Sequence, residues 1–482
     1  MNFQSYKRDS SITRNQFKYY SEYIMEDQKN NETHKSPNSS DSVKATIFHT
    51  CSLIQTCFKN NNYDEISTYI LELSRLIRNE SFDEIPGLEK FDVPNILLTI
   101  FYDISKEGLN DRKAIRIAAI NCLVNLSSYE QAESFFDSEQ FCSILLISIR
   151  KEKVQSSLEI LASLLANILT YKNRNIYNYF LNNHIIKILT IRSYRSSNLD
   201  FKFLCFDSLK MICSFPLNNS QVELIYRFIG DFLSKSEELS KDNYDLMLLR
   251  IIQVFHSLLE NDSIYFELFE SLNFHSIVFL AITKEFNLAA RFGCRVAKML
   301  VKKYSCINYF PVEKLITLLV NNYTYTDSES TKILFDLTNT ISTIIKKSDN
   351  CDNLINLELI KGFLDLAQNS TILLRVGVIK IIKNLIKFLN ESTFQFLLTV
   401  VNNQNIFDIL AEMVETQDKD VVLNVLKMCI LIFEKSTPLN LLNDCIMLFQ
   451  KSFSPDFLKF CEEFEDSYIN ARLSILKNYV TK

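Results

Sequence analysis

DRKAIRIAAINCLVNLS, residues Asp111 to Ser127, sets the pattern that the rest of the chain repeats. Ile115, Ala119, Cys122 and Leu126 fall at i, i+4, i+7 and i+11, one apolar stripe along a helix. Asn121 and Asn125, four apart, form a polar row beside that stripe. Such a helix buries one side and leaves a polar line uncovered.

With Asn125 as an anchor, the same arrangement returns at Asn167, Met211, Ser257, Met299, Thr343, Asn384 and Cys429. The separations are 42, 44, 46, 42, 44, 41 and 45 residues. A period of roughly 40–47 residues is that of armadillo and HEAT repeats, each built of two or three helices. One such unit cannot bury its apolar face alone, so it stacks on the next copy. The spacing therefore predicts an all-α, right-handed α-solenoid. About eight to nine repeats span residues 44–482, with helical caps at both ends.

A chain of 482 residues ordinarily divides into several globular domains, but a solenoid core grows along one direction. The composition, 47% hydrophobic and 23% charged, is that of a folded chain. Six glycines and seven prolines leave little material for phosphate-cradling loops or β-turns. A net charge of −5 gives no global drive toward nucleic acid or a membrane surface. The abundance of Asn, Ile, Lys, Phe and Tyr is given no functional weight. Twelve cysteines are scattered without a C-x-x-C pair, and several (Cys122, Cys205, Cys294) lie in helical patterns. They read as small buried hydrophobes in a reducing compartment, cytoplasm or nucleus. No apolar run suits a signal peptide or a membrane span.

Residues 1–43 read as a disordered tail, polar and neutral, with six basic and six acidic residues up to Asp41. Ser36-Pro37 is a candidate phosphorylation site, and Tyr19 to Met25 a candidate docking helix. From Ala45 onward, helical patterns alternate to the C-terminal cap at Leu441 to Tyr479. Pro216, Pro311 and Pro438 fall between patterns, where proline breaks nothing. No stretch alternates with period two, so no sheet is expected.

Catalytic or metal-binding chemistry has no constellation here. His49 stands near Cys51 and His256 one turn from Glu260, each without a further ligand; His34, His184 and His275 stand alone. Glu462, Glu463, Glu465 and Asp466 read as a solvated helix start. P-loop, G-x-S-x-G and G-x-G-x-x-G motifs are absent. A non-enzymatic protein with no cofactor and no metal is expected.

AAINCLVNLS resembles the third helix of armadillo repeats, in which an Asn recurs at the anchor. LSRLIRNESFDEIPGLEKFDVPNILLTIF, Leu73 to Phe101, is similar in spacing to the first armadillo repeat of the importin-α family of nuclear-import adaptors. The resemblance implies that third helices line a concave groove, where each anchor Asn hydrogen-bonds the backbone of an extended peptide. Asn125, Asn167 and Asn384 match that pattern. The family also places a Trp four residues before the anchor and acidic residues one turn after it, to hold basic cargo. This chain has no Trp; Asn121, Ser163, Asn339 and Lys380 stand four before anchors. One turn after lie Tyr129, Tyr171, Phe215, Lys303, Lys347 and Phe388, none acidic.

The expected function is a scaffold that holds an extended peptide or protein partner in the groove, on the importin-α plan. Its site residues are Asn121, Asn125, Tyr129, Ser163, Asn167, Tyr171, Asn339 and Asn384, with Arg295, Lys303, Lys347 and Lys380. No direct nucleic-acid contact and no membrane insertion are expected. A second reading comes from charge. Arg291, Arg295, Lys298 and Lys302 make a basic stripe on one helix, and Lys380, Lys383 and Lys387 another. A basic groove suits acidic or phosphorylated partners, the mode of β-catenin-type armadillo proteins. A structural subunit of a larger complex is the remaining alternative.

Overall fold

The computed structural model describes residues 40–79, 91–107, 113–129, 132–285, 287–324, 327–349, 351, 355–399 and 404–480. The expected tail through residue 39, with Ser36 and the Tyr19 to Met25 stretch, lies outside the described residues. The contacts divide the chain into two units, residues 1–96 and 97–482.

In the first unit, α1 (Ser40–Lys59) packs on α2 (Tyr63–Asn79). Ile47, Cys51 and Ile54 on one helix, and Ile66, Ile70 and Ile77 on the other, are buried at helical spacing. Asn61 turns the chain between them at φ 55°, a left-handed conformation that Asn tolerates. Helix α1 takes in residues 40–43, which the sequence reading assigned to the tail.

The division between units falls inside α3 (Val93–Glu107). The helices that follow are α4 (Lys113–Ser127), α5 (Glu133–Phe136), α6 (Glu139–Lys151), α7 (Gln155–Thr170), α8 (Arg174–Asn182), α9 (Ile185–Arg195) and α10 (Leu199–Ile212). Next come α11 (Asn219–Leu233), α12 (Lys241–Glu260), α13 (Phe266–Ser271), α14 (Phe274–Thr283), α15 (Leu288–Tyr304), α16 (Val312–Asn322) and α17 (Ser328–Lys347). The chain closes with α18 (Leu357–Asn369), α19 (Ile372–Leu385), α20 (Glu391–Leu398), α21 (Ile406–Val414), α22 (Lys419–Ser436), α23 (Leu442–Ser452), α24 (Phe457–Glu462) and α25 (Ser467–Val480).

Helices α4, α7, α10, α12, α15, α17, α19, α22 and α25 form one row, each packed on the next. We call it the inner row. Seven outer helices, α6, α9, α11, α14, α16, α18 and α21, each precede an inner helix in the chain and form the second layer. All eight anchors lie on inner helices, one apiece from α4 to α22. The fold is an all-α solenoid, and no strand occurs among the described residues.

Four short helices, α5, α8, α13 and α20, stand between an inner helix and the next outer one. They complete a three-helix repeat at these four places, one of the two forms that the period allows. They hold nine residues at most, and in α8 (RNIYNYFLN) Ile176, Tyr177 and Phe180 are buried as one short apolar face. Asparagine, discounted in the sequence, has a structural use. Asn173, Asn198, Asn218, Asn287, Asn356, Asn390 and Asn405 each cap a helix N-terminus, their side-chain oxygens accepting from backbone N–H groups.

Two glycines let helices approach closely. A Cβ on Gly377 in α19 would lie 2.1 Å from Oγ1 of Thr338, a fully buried residue of α17. A Cβ on Gly293 in α15 would lie 2.9 Å from Ile282 in α14. All twelve cysteines are free and buried. Burial pushes the Cys51, Cys142 and Cys461 thiols up to about 12. No helix among the described residues is long and apolar enough to cross a membrane.

Candidate functional site

An α-helix ends with backbone carbonyls that have no partner inside it. In this row the next repeat supplies the partner. Tyr171, four residues past its anchor, donates its hydroxyl to the Ser127 carbonyl at 2.8 Å, two residues past the preceding anchor. Asn261 holds the same relation to the Cys213 carbonyl, at 3.1 Å. Lys303 holds it to the Leu259 carbonyl and also pairs with Asp262. Phe215, at this position in the third repeat, cannot donate. It stacks on Tyr177 with ring centroids 3.6 Å apart, and the Tyr177 hydroxyl lies 2.8 Å from the carbonyls of Leu169 and Met211. Burial raises the Tyr171 and Tyr177 hydroxyls far above the ordinary tyrosine range.

The anchor asparagines make a second tie. Asn167 Nδ2 donates to Ser127 Oγ at 3.1 Å and to the Val124 carbonyl at 3.4 Å. Asn384 Nδ2 donates to the Ser342 carbonyl at 2.8 Å and to Ser342 Oγ at 2.9 Å. Asn339 gives its amide to the Phe335 carbonyl of its own helix, at 2.9 Å. Asn125 and Tyr129 are half-buried and have partners within the fold. Asn121 on α4 and Ser163 on α7 are half-buried. Asn167, Tyr171, Lys303 and Asn384 are thus engaged in joining repeats, a role that the groove pattern did not anticipate.

The cations divide into two sets. Arg295 belongs to the engaged set: its Nε lies 2.9 Å from Asp336 Oδ2 on α17, and Arg291 meets the same oxygen at 3.3 Å. The other set is half-buried lysine on α15 and α19, Lys298, Lys380 and Lys383. Burial is the main cause that lowers the Lys298 ammonium, with Lys302, Lys380 and Arg295 adding to it and Asp336 opposing. Burial likewise lowers Lys380, against Asp420. It lowers Lys383, with Lys427, Lys380 and Lys346 adding to it. These mutual influences place lysines of α15, α17, α19 and α22 within one electrostatic neighbourhood. Cross-helix contacts fix it: Lys380 Nζ stands 5.6 Å from the Phe335 ring centroid, and Lys383 Nζ lies 3.5 Å from Asn424 Oδ1. Lys347 is exposed at the end of α17. The sequence marked Lys298, Lys302 and Lys383 as part of basic stripes but placed Arg295, Lys303, Lys347 and Lys380 in the groove. Side-chain reach decides which cation is already paired, and helical phase alone does not report it.

A buried acid went unnoticed in the sequence. Glu152 pairs with Arg116, and their side chains are 4% and 10% exposed. Its other oxygen accepts from the N–H groups of Lys153 and Val154 at 2.8 and 2.7 Å, at the start of α7. Arg116 donates to the Phe101 carbonyl at 3.0 Å and lies over the Phe101 ring at 4.1 Å. Arg192 binds the Glu152 carbonyl. The available signal was an acid directly before a helix start, in RKEKVQSS. Among the described residues, no three His, Cys, Asp or Glu side chains come together as metal ligands. His256 Nδ1 lies 3.4 Å from Glu260, and Asp466 caps α25 while pairing with Lys419.

No protein-family model matches the chain, and no curated protein sequence matches it. Solved structures do. The structure of SYS-1 aligns at a TM-score of 0.56 and 10% identity, covering 93% of this chain and 89% of that one. The complex of SYS-1 with POP-1 aligns at 0.55 and 11% identity, covering 90% and 96%. A chain from the cadherin and β-catenin system aligns at 0.46 and 12% identity, covering 86% and 88%. The likeness to SYS-1 shows the fold, an armadillo-type α-solenoid.

Proposed function

We propose that this protein is a binding scaffold whose inner helices α15 to α22 hold an extended, acidic segment of a protein partner. The observation that carries the reading is the cluster of Lys298, Lys380 and Lys383. Each is half-buried, and Lys298 and Lys383 have other cations as charged neighbours. Asp336, the carboxylate that Lys298 senses, already serves Arg291 and Arg295. Holding like charges together in partial burial is unfavourable. Asp420 faces Lys380, but a carboxylate-bearing ligand adds counter-charge for Lys298 and Lys383 and gains affinity from the same arrangement.

The SYS-1 structures support the reading to the extent that one of them is a complex with another protein, POP-1. An importin-α type of recognition, in which a basic signal lies in the groove, conflicts with cations on this face. The asparagine ladder is also a weaker basis, because Asn167 and Asn384 give their amide protons to the preceding repeat. Twelve buried free thiols suit a reducing compartment, so we place the work in cytoplasm or nucleus.

Fluorescence anisotropy with a labelled glutamate-rich peptide tests the proposal. The full chain should bind it with affinity that falls as salt rises. Lys298→Ala with Lys383→Ala should weaken binding by about tenfold or more. Equal affinity for a lysine-rich peptide, or no loss in the double variant, would overturn it. Arg295 and Lys303 are poor choices for this test, because both are tied into neighbouring repeats.

A further inference from the structure

The C-terminal ends of the inner helices lie side by side along one edge of the row. Tyr171 reaches the Ser127 carbonyl there, Asn261 the Cys213 carbonyl and Lys303 the Leu259 carbonyl. The order continues through α17 and α19, where Asn384 reaches the Ser342 carbonyl. From α4 to α19, the residue three past each anchor stands at this edge. For α4, α7 and α10 it is Ser128, Thr170 and Ser214, and each hydroxyl donates to the carbonyl of its own anchor, at 2.7, 2.6 and 2.7 Å. For α15, α17 and α19 it is Lys302, Lys346 and Lys387, all exposed. Glu260 of α12 holds the position before this row of lysines, and the buried Ile432 of α22 holds it after.

Charge is divided by level along these helices. Ahead of the anchors, cations are matched: Arg291 and Arg295 by Asp336, Lys332 by Glu329 and Arg375 by Glu412. Asp420 faces Lys380 at the same level. Beyond the anchors, Lys303 is tied to Asp262. Lys302, Lys346 and Lys387 take part in no ion pair among the described residues, and Lys387 rests over the Phe388 ring at 4.3 Å. Asp349, after α17, is exposed and pairs with none of them. Lys302 acts on Lys298 and Lys346 on Lys383, so the edge and the half-buried cluster share one field. Cations suit the C-terminal end of a helix. Yet α4, α7 and α10 have Ser or Thr at this position, so the fold itself does not call for lysine. Resting on the acidic-segment reading above, we propose that the segment crosses α15, α17 and α19 along this C-terminal edge, over Lys302, Lys346 and Lys387, and not along the line of the anchors.

The combined change Lys302→Ser, Lys346→Ser and Lys387→Ser tests this, since Ser128 and Ser214 show that the position accepts serine. A control, Lys187→Ser, Lys314→Ser and Lys361→Ser, removes the same charge from exposed positions on the outer helices α9, α16 and α18. Fluorescence anisotropy with the labelled glutamate-rich peptide compares both with the unaltered chain. The edge variant should bind about tenfold more weakly, and the control should stay within about twofold. Lys346→Ser alone should weaken binding about twofold to threefold, which keeps the test open if the triple edge variant does not fold. Equal loss in the edge variant and the control, or no loss in the edge variant, overturns the inference. The acidic-segment reading still stands in that case if Lys298→Ala with Lys383→Ala weakens binding. Failure of the peptide to bind the unaltered chain overturns both.

Discussion

Tyr171 donates its hydroxyl to the carbonyl oxygen of Ser127, 2.8 Å away and 44 positions earlier in the chain. The same bond recurs from Asn261 and Lys303, so side chains of three different chemistries do one task. Each gives a donor to carbonyls that the end of a helix leaves unmatched. Repeat joins to repeat through hydrogen bonds as well as apolar packing.

Tyr171→Phe removes that donor and keeps the ring against Phe136. The cost should be about 1 kcal/mol. Its pH dependence has a definite sign. Burial raises the folded-state pKa of Tyr171 above the ordinary 10.0, so the protonated hydroxyl is favoured in the fold. The stabilisation is full below pH 10 and is lost as pH rises beyond it, when the unfolded chain ionises first. Urea denaturation of both forms across that range should show their stabilities converging at high pH.

Glu152→Ala should destabilise the fold by about 3 kcal/mol or more, since it leaves Arg116 charged, buried and unpaired. Replacing both partners by apolar residues should recover much of the loss. Thermal unfolding of the two single variants and the pair measures the coupling.

Gly377→Ala forces a methyl group against Thr338 and should cost about 1–3 kcal/mol. Thr338→Ala in the same chain should recover part of that cost, because the atom at 2.1 Å is then gone. Non-additive melting temperatures in the double variant would verify that α17 and α19 meet at this pair.

Lys383→Met should raise stability at neutral pH, because it relieves a half-buried cation held near Lys427, Lys380 and Lys346. Affinity for an acidic peptide should fall in the same variant. A residue kept for binding at the expense of the fold shows this opposition, and a purely structural lysine does not. Melting temperature and peptide titration on one preparation give both readings.

The repeat was legible because each inner helix must bury a stripe of fixed phase, and apolar spacing reports phase directly. Asn125 and its seven counterparts all lie on inner helices for that reason. The short helices escaped because α5, α8, α13 and α20 are too brief to show a period. Lys303 and Tyr171 were assigned to the groove by phase, but both side chains turn back along the row to reach a carbonyl. Arg295 carried no sign in the sequence that Asp336, 41 residues later, would pair with it. Side-chain partners between repeats depend on the packing of two helices, which neither helix encodes alone.

The account turns on whether an acidic segment lies over Lys298, Lys380 and Lys383. Lysine-selective acylation of the full chain, read residue by residue by mass spectrometry, measures this with and without saturating glutamate-rich peptide. Lys298, Lys380 and Lys383 should lose reactivity together on binding, while Lys187 and Lys459, on an outer helix and in the C-terminal region, keep theirs. Protection elsewhere with those three lysines unchanged would contradict it.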